Sequence, residues 1–234
     1  MIVLIKLILA HLIGDFFLQP LSWVKAKEEK KLRSYQLYLH AAMHGALILL
    51  LVWDFSFIKW AIILACIHLI IDVFKIYLQK DTNKRFYFFA DQIAHFLAIL
   101  IIYYGYNGSS PFDSSIFNHI NFLLVTLIVF LTFPGSVFIK MFIAKWSPGK
   151  GDQKDESLME AGKYIGILER LFVFVFLILG HWEAIGFLLA AKSIFRFGDL
   201  KESKDRKLTE YMLIGTLISF GIAIAAGLTY LYLH

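Results

Sequence analysis

The stretch His11-Leu-Ile-Gly-Asp15-Phe-Phe lies in the first apolar segment of the chain, and His68-Leu-Ile-Ile-Asp72-Val-Phe repeats it 57 residues later. A histidine and an aspartate four residues apart lie on the same face of an α-helix, so each copy offers two metal-ligating groups to one point. Imidazole and carboxylate groups are costly inside apolar segments unless they are used. The repeated stretch therefore predicts a helical protein built around a chemical site.

A second pair of residues repeats with the first. His40 and His44 lie in the second apolar segment, and Asp91 and His95 have the same spacing 51 residues later. Segments one and two are thus predicted to form one helical hairpin, and segments three and four its parallel copy. A pseudo-twofold axis along the membrane normal would bring all four pairs to one centre, which predicts a four-helix bundle that holds a metal site.

The composition is typical of an integral membrane protein. Of the 234 residues, 59% are hydrophobic and 17% are aromatic, and the mean hydropathy is +0.68, whereas soluble domains contain about 45–50% apolar residues. The first apolar segment lacks a strongly basic start and a small-residue cleavage site, so we expect it to be retained. The single Cys66 excludes an internal disulfide and a thiolate cluster.

Eight apolar segments predict an all-α, polytopic membrane protein of about eight transmembrane helices. The segments cover residues 2–19, 36–53, 57–78, 86–105, 116–139, 161–180, 182–197 and 209–232. Most approach the ~20 residues that cross the hydrocarbon core, while the short seventh segment could instead form a re-entrant hairpin with its neighbour. We predict a tandem-hairpin bundle at 1–106 and a four-helix half at 107–234, with a polar cytoplasmic loop at 147–160.

The distribution of basic residues indicates the orientation. Alternate loops carry 19 of the 23 lysines and arginines, and the intervening loops contain only Lys59. By the positive-inside rule the basic loops face the cytoplasm, and both termini lie outside. The formal net charge of +5 is then a topology signal with some attraction to anionic lipid, and no nucleic-acid partner is expected.

The four repeated pairs share one depth in this topology, roughly 6–15 Å below the cytoplasmic surface at 1.5 Å per residue. We therefore predict eight metal ligands, namely His11, Asp15, His40, His44, His68, Asp72, Asp91 and His95. Gln19, Gln92 and Lys75 lie at the same level and could support the site, although Lys75 could equally be solvated at the interface. Some pairs could instead form hydrogen bonds between helices or orient the true ligands.

Nitrogen and oxygen donors without sulfur favour zinc as the metal, with iron or manganese as alternatives. Eight donors exceed what one tetrahedral zinc ion accepts. Two divalent ions carry four positive charges, which three aspartates and one hydroxide would balance, so we predict a dinuclear centre. Asp15, Asp72 and Asp91 are the candidate catalytic residues, because an aspartate that binds no metal could act as a base.

Charged residues also occur in the apolar segments of the second half. Arg170, Lys192 and Arg196 could form an anion-binding face for a phosphate or a carboxylate. Glu169 and Glu210 lie close to them in the sequence, so the alternative is a buried ion-pair network that holds short helices together. The residues alone leave both interpretations open.

The chain resembles, over nearly its whole length, a bacterial membrane-protein family known as domain of unknown function 3307. The matching runs are His11-x-x-Gly-Asp15-Phe with Gln19, His40-x-x-x-His44, His68-x-x-x-Asp72-x-x-Lys75, Asp91-Gln92-x-x-His95, Gly166-x-Leu168-Glu169-Arg170, Lys192-Ser193-x-x-Arg196-Phe197 and Glu210-Tyr211-x-x-x-Gly215-Thr216-x-x-Ser219. The resemblance implies a multi-pass protein of the bacterial inner membrane and assigns no activity. The His-x-x-x-Asp pattern is more weakly similar to membrane-bound metal-dependent hydrolases.

The leading hypothesis is a metal-dependent hydrolase at the cytoplasmic leaflet that acts on a phosphorylated lipid or isoprenoid. Membrane lipids would then be its partners, and its oligomeric state stays open. The first alternative is a metal-ion or proton transporter or channel, but the outer halves of the first four segments are nearly free of ionisable groups apart from Lys6. The second is a non-haem di-iron oxidoreductase, although the aspartates are unusual for the histidine-rich membrane enzymes of that kind.

Overall fold

The protein forms two compact units, Met1–Val129 and Phe130–His234. The computed structural model describes residues 1–106, 120–146, 156–197 and 203–233, without the side chains of 156–160, 195–197 and 203–209. Helices are the only regular secondary structure in these ranges. The predicted boundary at 106/107 adjoins the stretch 107–119, which lies outside the described residues, and stays a prediction.

The helices of the first unit follow the apolar segments of the sequence. They are α1 (Ile2–Phe16), α2 (Leu21–Lys30), α3 (Tyr35–Val52), α4 (Ile58–Leu78), α5 (Lys84–Gly105) and α6 (Phe122–Leu131), of which the last two residues belong to the second unit. Single 3₁₀ turns at Lys31–Arg33 and Phe55–Phe57 precede α3 and α4. The four repeated pairs thus lie on α1, α3, α4 and α5, one pair on each helix.

Helix α1 is shorter than the first apolar segment because it ends at Phe16. Pro20 follows in an extended conformation; it has no N–H group to donate and disfavours a helical residue before it. Helix α2 then begins at Leu21, with its axis at 79° to that of α1. The chain therefore leaves α1 sharply at this point, and the polar α2 does not extend it.

Helices α1, α3, α4 and α5 form what we term the four-helix ring. Helix α1 packs against α3 and α5, and α4 packs against the same two helices. The C-termini of α1 and α4 share one end with the N-termini of α3 and α5, and lysines of α2, α4 and α5 make polar contacts there. We term this the basic end. Buried aliphatic residues fill the ring towards its opposite, apolar end.

The second unit contains α7 (Phe133–Ile143), α8 (Glu156–Ile178), α9 (Trp182–Phe197) and α10 (Ser203–Leu233). Helix α8 is its central element, since it packs against α7, α9 and α10, and α7 also contacts α10. The apolar residues Val173, Phe174 and Leu177 of α8 are almost fully buried. Close van der Waals packing of this face contributes to the association of the helices in the unit.

The fifth predicted segment, 116–139, is interrupted in the structure. Helices α6 and α7 are separated at Thr132 and bent by 43°, so backbone carbonyl groups at the end of α6 lose their helical partners. Arg170 of α8 donates there: its Nε lies 2.6 Å from the Leu131 carbonyl oxygen. Its Nη2 donates to the Thr132 carbonyl at 3.1 Å, which also accepts a hydrogen bond from the Ser136 N–H. A buried guanidinium group thus stabilises the break.

Four helical segments are long and apolar enough to cross a membrane, namely Tyr35–Val52, Phe55–Leu78, Lys84–Gly105 and Glu210–Leu233. The number rises to six if each of the bent pairs α1–α2 and α6–α7 forms one span. Helix α8 carries the charged residues Lys163, Glu169 and Arg170, and α9 has only 16 residues. The described residues therefore support an all-helical membrane protein with four to six candidate spans, and the predicted count of eight is not confirmed.

We predict that Arg170→Met lowers the stability of the protein by roughly 2 kcal/mol or more, because it removes the guanidinium donor of the buried Leu131 carbonyl. The measurement is the thermal unfolding midpoint in detergent. Lys163→Met on the same helix is the control, since the exposed Lys163 ammonium only lies over the Phe133 ring, 4.3 Å from its centroid. Equal midpoints for the two variants would contradict the role of Arg170.

Candidate metal centre

The structure brings all eight predicted ligand side chains together in two layers inside the four-helix ring. The histidine layer consists of His11, His44, His68 and His95, with ring centroids 3.8–5.8 Å apart in the contacting pairs. The carboxylate layer consists of Asp15, His40, Asp72 and Asp91, one helical turn nearer the basic end. Each ring helix contributes one residue to each layer, because each carries one pair with i, i+4 spacing.

Asp15 is the hub of this cluster. Its Oδ1 lies 3.1 Å from Nε2 of His44, 3.2 Å from Nε2 of His40 and 3.6 Å from Nε2 of His68. Its Oδ2 accepts a hydrogen bond from Nε2 of Gln92 at 3.1 Å. One carboxylate on α1 therefore contacts side chains from the other three ring helices.

His95 is oriented as a metal ligand would be. Its Nδ1 lies 2.9 Å from the Asp91 backbone carbonyl, which can only accept, so Nδ1 carries the proton. The lone pair is then on Nε2, which is buried and has no hydrogen-bond partner among the described residues. A backbone carbonyl that fixes the second ring nitrogen is the usual arrangement around metal-binding histidines. Nδ1 of His40 is likewise buried without such a partner.

The donors divide into groups that suit metal ions. Three groups have ligand atoms within 4.8 Å of one another: His11, Asp15, His44 and His68; His40, His68 and Asp72; and Asp15, Asp91 and His95. The second and third groups share no residue as they stand. The first group shares His68 with the second and Asp15 with the third; if His68 is assigned to the second, the first retains His11, Asp15 and His44, and Asp91 and His95 stay as additional donors. Three protein ligands leave coordination positions open, as in catalytic sites. The donor set thus fits two ions.

Two lysines reach the carboxylate layer from the basic end. Lys27 Nζ lies 2.6 Å from Asp72 Oδ2, and Lys75 Nζ lies 2.7 Å from Asp91 Oδ2. Lys75 lies beside the site as predicted from its level in the sequence. Lys27 was missed by the sequence analysis, because its position depends on the bend between α1 and α2; Pro20 was the one available signal.

The predicted supporting glutamines differ in their contacts. Gln92 bridges the layers, since its Oε1 lies 3.3 Å from Nε2 of His11 and its Nε2 donates to Asp15 and to Asp91. Gln19 lies in the connection between α1 and α2, and its Nε2 is buried without a hydrogen-bond partner in the described part of the chain. Gln92 therefore orients site residues directly, whereas a role for Gln19 stays a prediction.

Two of the predicted charged residues of the second unit, Lys192 and Arg170, make polar contacts within that unit. Lys192 Nζ forms an ion pair with Glu169. Such a pair belongs to the ion-pair network that the sequence analysis gave as the alternative to anion binding. Besides its two carbonyl contacts, Arg170 donates to Oγ of Ser136 and of Ser219. The Arg196 side chain lies outside the described residues, and Glu210 is exposed. Anion binding by Arg170, Lys192 and Arg196 stays a prediction.

A small cavity of about 10 Å³ adjoins the histidine layer, on the order of the space that one water molecule needs. Histidines line one side, and four aliphatic residues line the other: Leu7, Ile48, Leu64 and Ile99. These four residues occupy equivalent positions in the two copies of the internal repeat. Leu7 and Leu64 are 57 residues apart, and Ile48 and Ile99 are 51 residues apart. The cluster is thus closed by an apolar layer towards the apolar end of the ring.

Gly14 permits the close approach of His44 to α1. A Cβ atom at this position would overlap the imidazole ring, with Nδ1 of His44 at 2.9 Å. We predict that Gly14→Ala displaces His44 and weakens metal binding at least about tenfold, as measured by competition with a chelator. Gly221→Ala is the control, because nothing lies within 4 Å of a Cβ there. Unchanged affinity in Gly14→Ala would show that His44 is not a ligand.

Comparison with known proteins gives a family but no activity. No curated protein and no solved structure matches the chain, and the similarity to membrane-bound metal-dependent hydrolases is not shown. The family model DUF3307, described as a protein of unknown function, matches residues 3–124, which include α1 to α5 and all eight clustered side chains. This match covers more than half of the chain, so the protein belongs to the DUF3307 family.

Proposed function

We propose that the protein is a metal-dependent hydrolase that acts on a phosphorylated lipid or isoprenoid at the cytoplasmic leaflet of the bacterial inner membrane. The observation that carries this proposal is the pair of buried donor sets, His11, Asp15 and His44, and His40, His68 and Asp72, that share no residue. Such a mixture of nitrogen and oxygen donors suits two divalent ions, with zinc favoured and iron or manganese as alternatives. In phosphoryl transfer, paired ions acidify water and stabilise charge on the phosphoryl oxygens.

Asp91 is the aspartate best placed to act as the base. Lys75 and Gln92 hold its Oδ2 at 2.7 and 3.2 Å, whereas its Oδ1 is buried without a hydrogen-bond partner among the described residues. In the proposed reaction, Oδ1 accepts a proton from water as the water oxygen attacks phosphorus. The phosphorus–oxygen ester bond breaks, and the proton passes to the departing alcohol oxygen. Asp91 is thereby regenerated.

The apolar layer favours a hydrolase over a transporter. An ion path should continue across the bilayer, but Leu7, Ile48, Leu64 and Ile99 close the cluster on one side. Beyond them, Val52, Ala61 and Ile102 extend the buried apolar core of the ring. This arrangement argues against an ion path through the apolar end of the ring.

We expect purified protein to contain about two equivalents of a transition metal, measured by inductively coupled plasma mass spectrometry. Asp72→Ala and His44→Ala should each lower the metal content, because each removes a ligand from one donor set. The exposed His181 provides the control variant His181→Ala, which should load normally. Less than one equivalent in the wild type would remove the basis of the proposal, and full loading of both ligand variants would show that the ligand set is wrong.

We expect release of inorganic phosphate from a phosphorylated lipid or isoprenoid in mixed micelles, abolished by a chelator and restored by metal. Asp91→Asn should retain metal and lower kcat by about 10²–10⁴-fold, since it removes the base. Asp81→Asn, at an exposed turn, is the control. A transporter would instead be supported by metal-dependent ion flux into proteoliposomes that is lost in His40→Ala. An oxidoreductase would be supported by a preference for iron together with an oxygen-sensitive absorption band.

A further inference from the structure

Helix α2 is held at the basic end of the four-helix ring by polar contacts to α4 and α5. Lys27 Nζ reaches Asp72 Oδ2 at 2.6 Å. The next residue, Glu28, accepts hydrogen bonds at Oε1 from Nε2 of Gln79 and from Nζ of Lys84, both at 2.8 Å. These contacts fix the register of α2, so that Lys27 rather than a neighbouring lysine points into the site.

Lys27 and Lys75 both act on the carboxylate layer. The Lys27 side chain is only 6% exposed, and that of Lys75 is 26% exposed. Lys75 contacts Asp91 and also interacts electrostatically with Asp72 and Asp15. A buried ammonium group costs free energy unless it is paired. Lys27, the more deeply buried of the two, therefore requires an anionic partner in every state of the site, and Lys75 is stabilised by one.

Metal loading changes the charge balance around these lysines. Two divalent ions and one hydroxide balance the three aspartates without any contribution from lysine. Lys27 and Lys75 then give the loaded site two net positive charges: Asp72, the partner of Lys27, is shared with an ion, and the charge of Asp91 is already counted in the balance. In a low-dielectric site this excess favours a bound dianion; a phosphodiester would cancel only one of the two charges, and a neutral ester would cancel neither.

We propose that Lys27 and Lys75 bind the phosphoryl oxygens of a phosphate monoester dianion, and that they select monoesters over diesters. This inference rests on the proposed function and specifies its substrate class. Lysine suits the task because its ammonium group acts as a compact point charge on phosphate. Helix α2, which supplies Lys27, begins at the strongly exposed Leu21, so an apolar side chain is available on this helix for contact with lipid.

The test measures binding of two anions to the metal-loaded, full-length protein. Inorganic phosphate represents the dianion, and dimethyl phosphate represents the diester monoanion. We expect inorganic phosphate to bind at least about tenfold more tightly, and Lys27→Met and Lys75→Met each to reduce that preference severalfold. Lys30→Met is the matched control, because Lys30 is exposed on the same helix. This variant should prefer inorganic phosphate over dimethyl phosphate as strongly as the wild type does.

Two further readouts separate phosphate binding from a merely structural role. Lys27→Arg keeps the charge and should retain most of the preference, even if Lys27→Met fails to fold. Metal content is measured in every variant. If the lysine variants keep their metal and the full preference for inorganic phosphate, this inference is overturned while the proposed hydrolase stands. If the wild-type protein binds no metal, both proposals fail together.

The source of the monoester is distinguished by competition. Glycerol 3-phosphate and phosphatidic acid in mixed micelles carry the same monoester group, but only the second is a lipid. Stronger competition by phosphatidic acid would assign the site to a lipid headgroup, and stronger competition by glycerol 3-phosphate would assign it to a soluble monoester. Failure of both to compete with inorganic phosphate would contradict the proposal.

Discussion

The first unit depends on the contacts of one carboxylate, that of Asp15. Its two oxygens contact His40 and His44 of α3, His68 of α4 and Gln92 of α5, so α1 is joined to every other helix of the ring. A carboxylate in such a setting costs several kcal/mol if it is left unpaired. The imidazoles and the amide therefore have to converge on it, and that convergence also places their nitrogen atoms around one point.

The internal repeat builds a symmetric scaffold with an unsymmetric polar centre. Matching aliphatic residues close the site on one side, and matching histidines form the layer beneath them. The two copies differ within and beside the cluster of donor side chains. His40 of the first hairpin corresponds to Asp91 of the second, and Gly14 corresponds to Ile71. Gly14 leaves room for the His44 ring, whereas Asp91 faces Lys75. The two donor sets are consequently inequivalent.

The sequence predicted the clustered residues well and their surroundings less well. The i, i+4 spacing is a local property of each helix, so it carried over directly into the two layers, with one residue of each pair in each layer. The break at Pro20 turned α2 away and brought Lys27 to Asp72, which no periodicity indicates. In the second unit, the sequence offered Arg170 as an anion-binding residue because arginine commonly binds anions. In the structure, Arg170 donates to backbone carbonyl groups at the break between α6 and α7.

By itself, the sequence determined that the chain is helical and apolar, that it contains a duplicated hairpin, and that eight nitrogen and oxygen donors form four pairs, each on one helix face. These follow from composition and from spacings within single helices. Only the tertiary structure decided the order of helices in the ring, the hub position of Asp15 and the pairing of Lys27 with Asp72. Those features depend on how side chains from separate helices meet, and neither propensity nor periodicity along one helix specifies a contact between two.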